Sequence, residues 1–338
     1  MQKIIISSLT LALILLAWSC SVVKIAPPEK TVSPSTKKTN RLIISAMNAK
    51  NNRRYNYAIK KFEKALEINP NSIATLNGLI DCYWAQSDCE KVIEYGALAI
   101  QYKSDFYNKF VTKTGNCLAL SGKVEKALEL YDLAIGLDST DFSLYYNRGL
   151  AFGEMKDFTK SKSDMIRTIQ MQANYGSSHW GFYNVSMALS DYRGATSSLL
   201  FMYMLASNSR EAKENLPKLE SLLYPDSMIE TGYGKKMMVP QMFSSARNKI
   251  LRNKDDFSHF KQFMLKYIVQ MAKYSESGND FVSIFYGGFF KELIDSGFEE
   301  EFCYYVFSDS EKEVVTEWIS ENGDRIIKFE NWLKSKKL

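Results

Sequence analysis

Small and apolar residues recur along the chain with a period of 34 residues, starting at Thr39. Position 20 of the period is filled, in five successive copies, by Ala58, Val92, Ala127, Ser161 and Ala195. Position 27 is filled by Ala65, Ala99, Ala134, Thr168 and Met202, with one extra residue near Tyr107. Small residues at these positions let two antiparallel helices approach closely, and each pair buries its apolar face only against a neighbouring pair. The pattern therefore predicts stacked helix-turn-helix repeats.

The stretch Tyr55–Ser72 contains Ala58, Phe62, Ala65 and Pro70 in the spacing A-x3-F-x2-A-x4-P. This spacing resembles the second helix of a tetratricopeptide repeat (TPR). The resemblance implies an all-α fold, a right-handed TPR solenoid of about five helix-turn-helix repeats followed by a helical C-terminal region. The predicted repeats span residues 39–72, 73–106, 108–141, 142–175 and 176–209.

The chain departs from the repeat pattern in three respects. Pro70 alone occupies the proline position, and Arg148 replaces an apolar residue at position 7 of the fourth repeat. In the fifth repeat, His179 falls at core position 4, while a register shifted by one residue would bury Trp180. The sequence leaves these two registers open.

The first residues resemble a bacterial lipoprotein signal. Lys3 precedes an apolar run, Ile4–Ala17, of 14 residues, short of the roughly 20 that cross a bilayer. Small residues before Cys20 imply a signal peptide over residues 1–19 and lipidation of Cys20. The alternative is an ordinary secretory signal in which Cys20 is incidental. The resemblance implies an exported protein of the cell envelope that is lipid-anchored to a bacterial membrane. The expected location is the outer membrane, with the protein facing the periplasm.

Residues 20–38 follow as the lipidated cysteine and a flexible tether. They lack apolar periodicity and contain Pro27, Pro28 and Pro34 together with four lysines. Such a composition is typical of an extended linker that holds a domain away from its membrane.

Positions 2, 5, 9, 12 and 13 of each first helix lie opposite the packed positions, and TPR arrays line their concave groove with this set. The candidate partner-binding residues are Asn77, Asp81, Trp84, Lys109, Asn116, Tyr146 and Glu154. The same positions also hold Ile43, Met47, Lys50, Thr112 and Leu150. An aromatic and amide-rich groove suits a peptide or helix of another envelope protein. The same aromatic residues would also stack on a sugar, and the bland alternative is an ordinary solvated helix face.

The carboxylate clamp of chaperone-binding TPR domains is not matched. Read from repeat three, the chain offers Asn116 and Asn147 but no basic pair in the third slot.

Charge, histidine content and missing motifs exclude several classes of function. The net charge of +5, from 43 basic and 38 acidic residues, is too small and too evenly spread to indicate nucleic acid. The chain has two histidines, and neither has a second ligand at zinc spacing. Phosphate-loop and hydrolase motifs are absent from the sequence. We therefore expect no metal, no cofactor and no enzyme, but a protein-protein scaffold or adaptor, with a surface lipoprotein that captures glycans or small ligands as the alternative.

Four cysteines follow Cys20, namely Cys82, Cys89, Cys117 and Cys303. Cys82 and Cys117 occupy the same position of consecutive repeats, on helices too far apart for a disulfide. Pairing of Cys82 with Cys89 stays open, and buried free thiols are the favoured interpretation.

In residues 210–338 the period is lost while helical patterning persists. Helices are predicted at about 241–253, 256–274, 280–296 and 298–307, followed by one opening at Ser310-x-x-Glu313 and one over 324–332. Aromatic residues around Gly287-Gly288 predict a helix pressed against a neighbour, as a solenoid cap needs. The run Glu299, Glu300 and Glu301 is interpreted as a solvated or helix-starting charge run.

Overall fold

The computed structural model describes residues 23, 25–32, 36–205, 218–219, 222, 257–308 and 313–336. Those residues are helical apart from turns, the irregular segment before the first helix and one isolated bridge between Lys30 and Tyr102. The chain divides into two units, Met1–Asp157 and Phe158–Leu338. The expected boundary at 209/210, and with it the predicted helix at 241–253 and the Ser310 cap, lies outside the described residues.

The described residues of the first unit form seven helices in antiparallel succession. They are α1 (Lys37–Asn51), α2 (Tyr55–Ile68), α3 (Ile73–Ala85), α4 (Cys89–Ala99), α5 (Tyr107–Leu120), α6 (Val124–Leu137) and α7 (Phe142–Glu154). Side chains of Thr36, Ser72, Asp88 and Asp141 accept backbone N–H bonds at helix starts, which satisfies groups that a helix leaves unpaired. The predicted helix-turn-helix pairs are confirmed.

The turn inside each pair contains one residue in the left-handed backbone region. These residues are Arg53, Ser87, Gly122, Lys156 and Ser190, with φ values of 56°, 59°, 74°, 59° and 59°. Only Gly122 adopts this conformation without steric penalty. The recurrence at the same point of every pair shows that the repeat geometry, rather than local propensity, sets the turn.

The small-residue positions lie where two helices touch. Ala58, Ala65, Ala127 and Ala134 are fully buried. Close approach is also visible at Gly115, where an added Cβ would lie 2.5 Å from Cζ of Tyr131. The periodic small residues therefore permit the close contact between helices that the sequence predicts.

The second unit begins with the second helix of the fourth predicted repeat. The helices for which the structure describes both ends are α8 (Phe158–Met171), α9 (Gly176–Ala188), α10 (Tyr192–Leu205), α11 (Phe257–Ser277), a π-helical turn (Val282–Gly287), α12 (Gly288–Asp295), α13 (Glu299–Val306), α14 (Glu313–Glu321) and α15 (Gly323–Ser335). No helix among the described residues combines the length and apolar character needed to span a bilayer.

The C-terminal helices cover the fifth repeat. Phe201 on α10 packs against Phe285, Tyr286 and Phe289, with ring centroids 5.1 to 5.6 Å apart. Every residue of α10 from 194 to 204 is buried. The aromatic residues around Gly287 thus pack as predicted, although Ile284 is 64% exposed.

Two details of this unit settle or correct the sequence interpretation. His179 is fully buried and Trp180 is half-buried, so the first register of the fifth repeat is the correct one. Glu301 is buried and accepts a 2.7 Å hydrogen bond from Nε of Arg325. Glu300 contacts Lys261 and Arg325. The acidic run opens α13, as expected, and two of its three members, Glu300 and Glu301, form ion pairs instead of a freely solvated run.

Candidate partner-binding groove

One carboxylate joins the first helices of three successive repeats in the first unit. Asp81 on α3 contacts Nζ of Lys50 on α1 at 2.9 Å, and Nζ of Lys109 and Lys113 on α5 at 2.9 and 2.5 Å. We call these four residues the lysine cluster. They bring the predicted groove residues Asp81, Lys109 and Lys50 into direct contact.

The lysine cluster has an excess of positive charge. Burial raises the pKa of Asp81, but hydrogen bonds from Lys113, Lys109 and Lys50 outweigh it and hold the pKa at about 2. Burial lowers the pKa of Lys113, and the neighbouring lysines add to that effect. Three ammonium groups around one carboxylate leave a formal charge of +2. Because Lys109 is 40% exposed in its side chain, part of this charge faces solvent.

Trp84 and Asn77 adjoin the lysine cluster. Lys109 donates a 2.9 Å hydrogen bond to Oδ1 of Asn77, and Nζ of Lys113 lies 5.8 Å from the ring centroid of Trp84. Trp84 is 37% exposed. Large apolar side chains are also exposed on the other first helices, at Met47, Leu120 and Leu150. The surface thus combines cationic and apolar contacts, the mixture found at protein interfaces.

The other predicted groove residues take different roles. Asn116 accepts a 2.6 Å hydrogen bond from the hydroxyl of Tyr131, so its Oδ1 is bound within its own repeat. On α7, Tyr146 is half-buried and Glu154 is exposed. No hydrogen bond described for the first unit links Asn116 to Asp81.

Lys113 is the groove residue that sequence reasoning missed. It stands at position 6 of its repeat, outside the set of positions used to list the groove. Together with Lys109 at position 2, Lys113 forms a basic pair of the kind that a carboxylate clamp has in its third repeat. This pair is not found when the clamp is read from repeat three. Counted from repeat one, the other clamp positions hold Ile43, Met47 and Gly78, so the pair stands without the rest of that motif.

A disulfide links two of the three repeats that carry the lysine cluster. Cys89 at the start of α4 is bonded to Cys117 on α5, with Cα atoms 5.0 Å apart. Cys82 and Cys303 are buried free thiols. The expectation of free thiols throughout was wrong for this pair. That expectation considered only equivalent positions on the first helices of consecutive repeats. The second helix of one repeat packs directly against the first helix of the next, and this contact brings Cys89 and Cys117 together.

Among the described residues there is no group of three or more histidine, cysteine or carboxylate side chains arranged to hold a metal ion. His179 is enclosed by aromatic rings and serves in packing.

Known proteins share parts of this sequence and fold. A TPR repeat family pattern matches residues 115–156. RNA polymerase II-associated protein 3 of Xenopus tropicalis is 29% identical over 109 residues, 32% of this chain and 17% of that protein. The thermophilic TPR protein TTC0263 of Thermus thermophilus is 15% identical, with a TM-score of 0.43 over 55% of this chain and 98% of that one. A MamA RS-1 ArsTM double mutant is 12% identical, with a TM-score of 0.48 over 53% and 99%. The repeat-family match and the chain's own helix pairs support a TPR protein.

Proposed function

We propose that the protein is a non-enzymatic adaptor of the bacterial cell envelope, anchored by lipid at Cys20, which holds a peptide or helix of another envelope protein in the groove of its first unit. The observation that carries this proposal is the lysine cluster beside exposed Trp84. A TPR fold suggests a protein partner, and the cluster adds a preference among partners.

The charge of the cluster defines what the partner offers. The formal +2 favours a segment with at least one carboxylate, since an opposite charge at a partly desolvated site gains more than one at an open surface. Trp84 and Leu120 favour apolar residues beside that carboxylate. Asp81 holds the three lysines in place before binding, so their side chains lose less entropy on contact.

Photocrosslinking in cells tests the groove. A photoreactive residue at position 84 is compared with one at position 57, because Tyr57 is exposed on α2, a second helix. We expect a defined adduct from position 84 and none from position 57. The variant Lys109→Gln/Lys113→Gln should reduce the adduct at least about tenfold, as loss of about 1.4 kcal/mol does.

The matched control is Lys60→Gln/Lys64→Gln, which removes the same charge from exposed positions of α2. It should leave the adduct unchanged. An equal loss of adduct in the two double variants would show that net charge alone causes the loss, and would contradict a specific groove site. Stabilisation by a neutral sugar, unaffected by either variant, would favour the glycan-capturing alternative instead.

Lipidation is tested separately. Metabolic labelling with a fatty acid analogue should mark the wild-type protein and leave Cys20→Ala unlabelled and free of the membrane fraction. Label retained in Cys20→Ala would contradict the anchor.

A further inference from the structure

The segment that follows the lipidation cysteine is bound to the repeats. Backbone N–H groups of Glu29 and Lys30 donate to the carbonyl of Gln101, at 3.1 and 2.9 Å. The N–H of Lys103 donates to the carbonyl of Lys30 at 3.0 Å. These bonds attach residues 25–32 to the turn between α4 and α5.

Side chains strengthen this attachment. Val23 is 7% exposed and belongs to the core of the first unit, and Ile25 packs against that core. Nζ of Lys30 lies 5.5 Å from the ring centroid of Tyr102. Pro27 and Pro28 line a cleft with residues of α5 and the end of α6. Val23 and residues 25–32 are here called the strap.

The strap changes the reach of the anchor. A free linker of residues 21–38 would have a root-mean-square span of about 20 to 25 Å and a maximum of about 60 Å. With Val23 in the core, three Cα–Cα steps separate Cys20 from an anchored residue, so its reach from that residue is at most about 11 Å. The expected flexible tether is therefore only a short connection.

We propose that the strap seats one end of the first unit, the end formed by the turn between α4 and α5, against the lipid surface. The inference rests on the proposed lipidation of Cys20. The opposite end of α5 lies about 20 Å away, from 14 residues at 1.5 Å each. The groove is consequently held beside the membrane, where it meets membrane-proximal segments of its partner.

The first test measures the strap without lipid. In a soluble Cys20→Ser protein lacking residues 1–19, hydrogen exchange should be at least about tenfold slowed at the amides of Lys30 and Lys103. Val23→Asp/Ile25→Asp should abolish this protection, because it places charges in the core. Glu29→Ala should preserve it, since the Glu29 side chain is exposed and its backbone bond remains. Unprotected amides in the parent protein would overturn the strap.

The second test measures seating on the membrane. The lipidated protein is placed on phosphatidylethanolamine and phosphatidylglycerol vesicles with a headgroup acceptor dye, and a donor is attached at position 105 or 123, both exposed. Energy transfer should be clearly higher from 105 than from 123, and Val23→Asp/Ile25→Asp should equalise the two. Equal transfer in the parent protein would overturn seating. Failure of the full-length protein to bind vesicles would instead refute the lipid anchor, and seating with it, while the exchange result for the strap stands.

Discussion

Nδ1 of His179 lies 2.8 Å from the hydroxyl of Tyr286, a residue 107 positions further along the chain. Nε2 of the same ring lies 2.7 Å from the carbonyl oxygen of Ala173. A carbonyl only accepts, so Nε2 carries the proton and Nδ1 accepts from the tyrosine hydroxyl. The fifth repeat and the C-terminal helices are thus joined by a neutral histidine whose two nitrogens are both satisfied.

This arrangement predicts a pH-dependent stability. Burial lowers the pKa of His179 to about 4 from 6.5, outweighing the opposing bond to Ala173. Between these values the unfolded chain binds a proton that the folded chain does not. Stability is therefore complete above pH 6.5 and is lost as pH falls toward 4, by about 3 kcal/mol. Urea unfolding followed through the second unit measures this loss.

The chain contains only one other histidine, His259, which provides the matched control. His179→Gln should lower stability at neutral pH and remove most of the pH dependence between 6.5 and 4. His259→Gln should retain that dependence. A slope that survives in His179→Gln would assign it to other groups.

Asp81 predicts a second, more acidic loss in the first unit. Its pKa of about 2 lies below the ordinary 3.8, so the stabilisation is present above pH 5 and disappears as pH falls toward 2. The difference corresponds to about 2 kcal/mol at neutral pH. Asp81→Asn should therefore destabilise the protein and flatten its acid unfolding curve.

Asp132→Asn is the comparison for this effect, because it breaks the pair with Arg148 in which Asp132 is 58% exposed. An exposed pair contributes about 0 to 1 kcal/mol. Equal acid sensitivity in the two variants would contradict the special role of the lysine cluster.

The sequence predicts the repeats well and the groove only in part. Ala58 and Ala127 recur because close contact between helices favours small side chains, so the period of the sequence reflects the packing directly. Lys113 follows no such rule, since a long side chain reaches its partner from a position outside the expected face. The Cys89–Cys117 bond depends on contact between helices of different repeats, which spacing within one helix class does not reveal. The strap could not be predicted from the sequence either, because its hydrogen bonds are made by backbone groups, which nearly every residue carries.

Packing at Gly115 gives a third prediction. Gly115→Ala would place a Cβ 2.5 Å from the ring of Tyr131, whose hydroxyl is already bonded to Asn116. The ring has to shift, and we expect a loss of about 1 to 3 kcal/mol in urea unfolding. On α6, a Cβ at Gly136 meets no atom within 4 Å. Gly136→Ala should therefore stabilise the protein by about 0.5 to 1 kcal/mol. A destabilisation of the same size in both variants would contradict the packing explanation.

The disulfide gives the last prediction. Cys89 and Cys117 close a loop across a separation of 28 residues. In the loop-entropy account, the lost conformational freedom raises the free energy of the unfolded state by about 3 to 4 kcal/mol. Cys89→Ala/Cys117→Ala should lower the free energy of unfolding by about this amount. Dithiothreitol should lower the stability of the wild-type protein and leave the double variant unchanged. Because α5 carries Lys109 and Lys113, the same variant should also weaken crosslinking from position 84 before the first unit unfolds. Full crosslinking together with the expected loss of stability would show that the bond stabilises the repeats without positioning the lysine cluster.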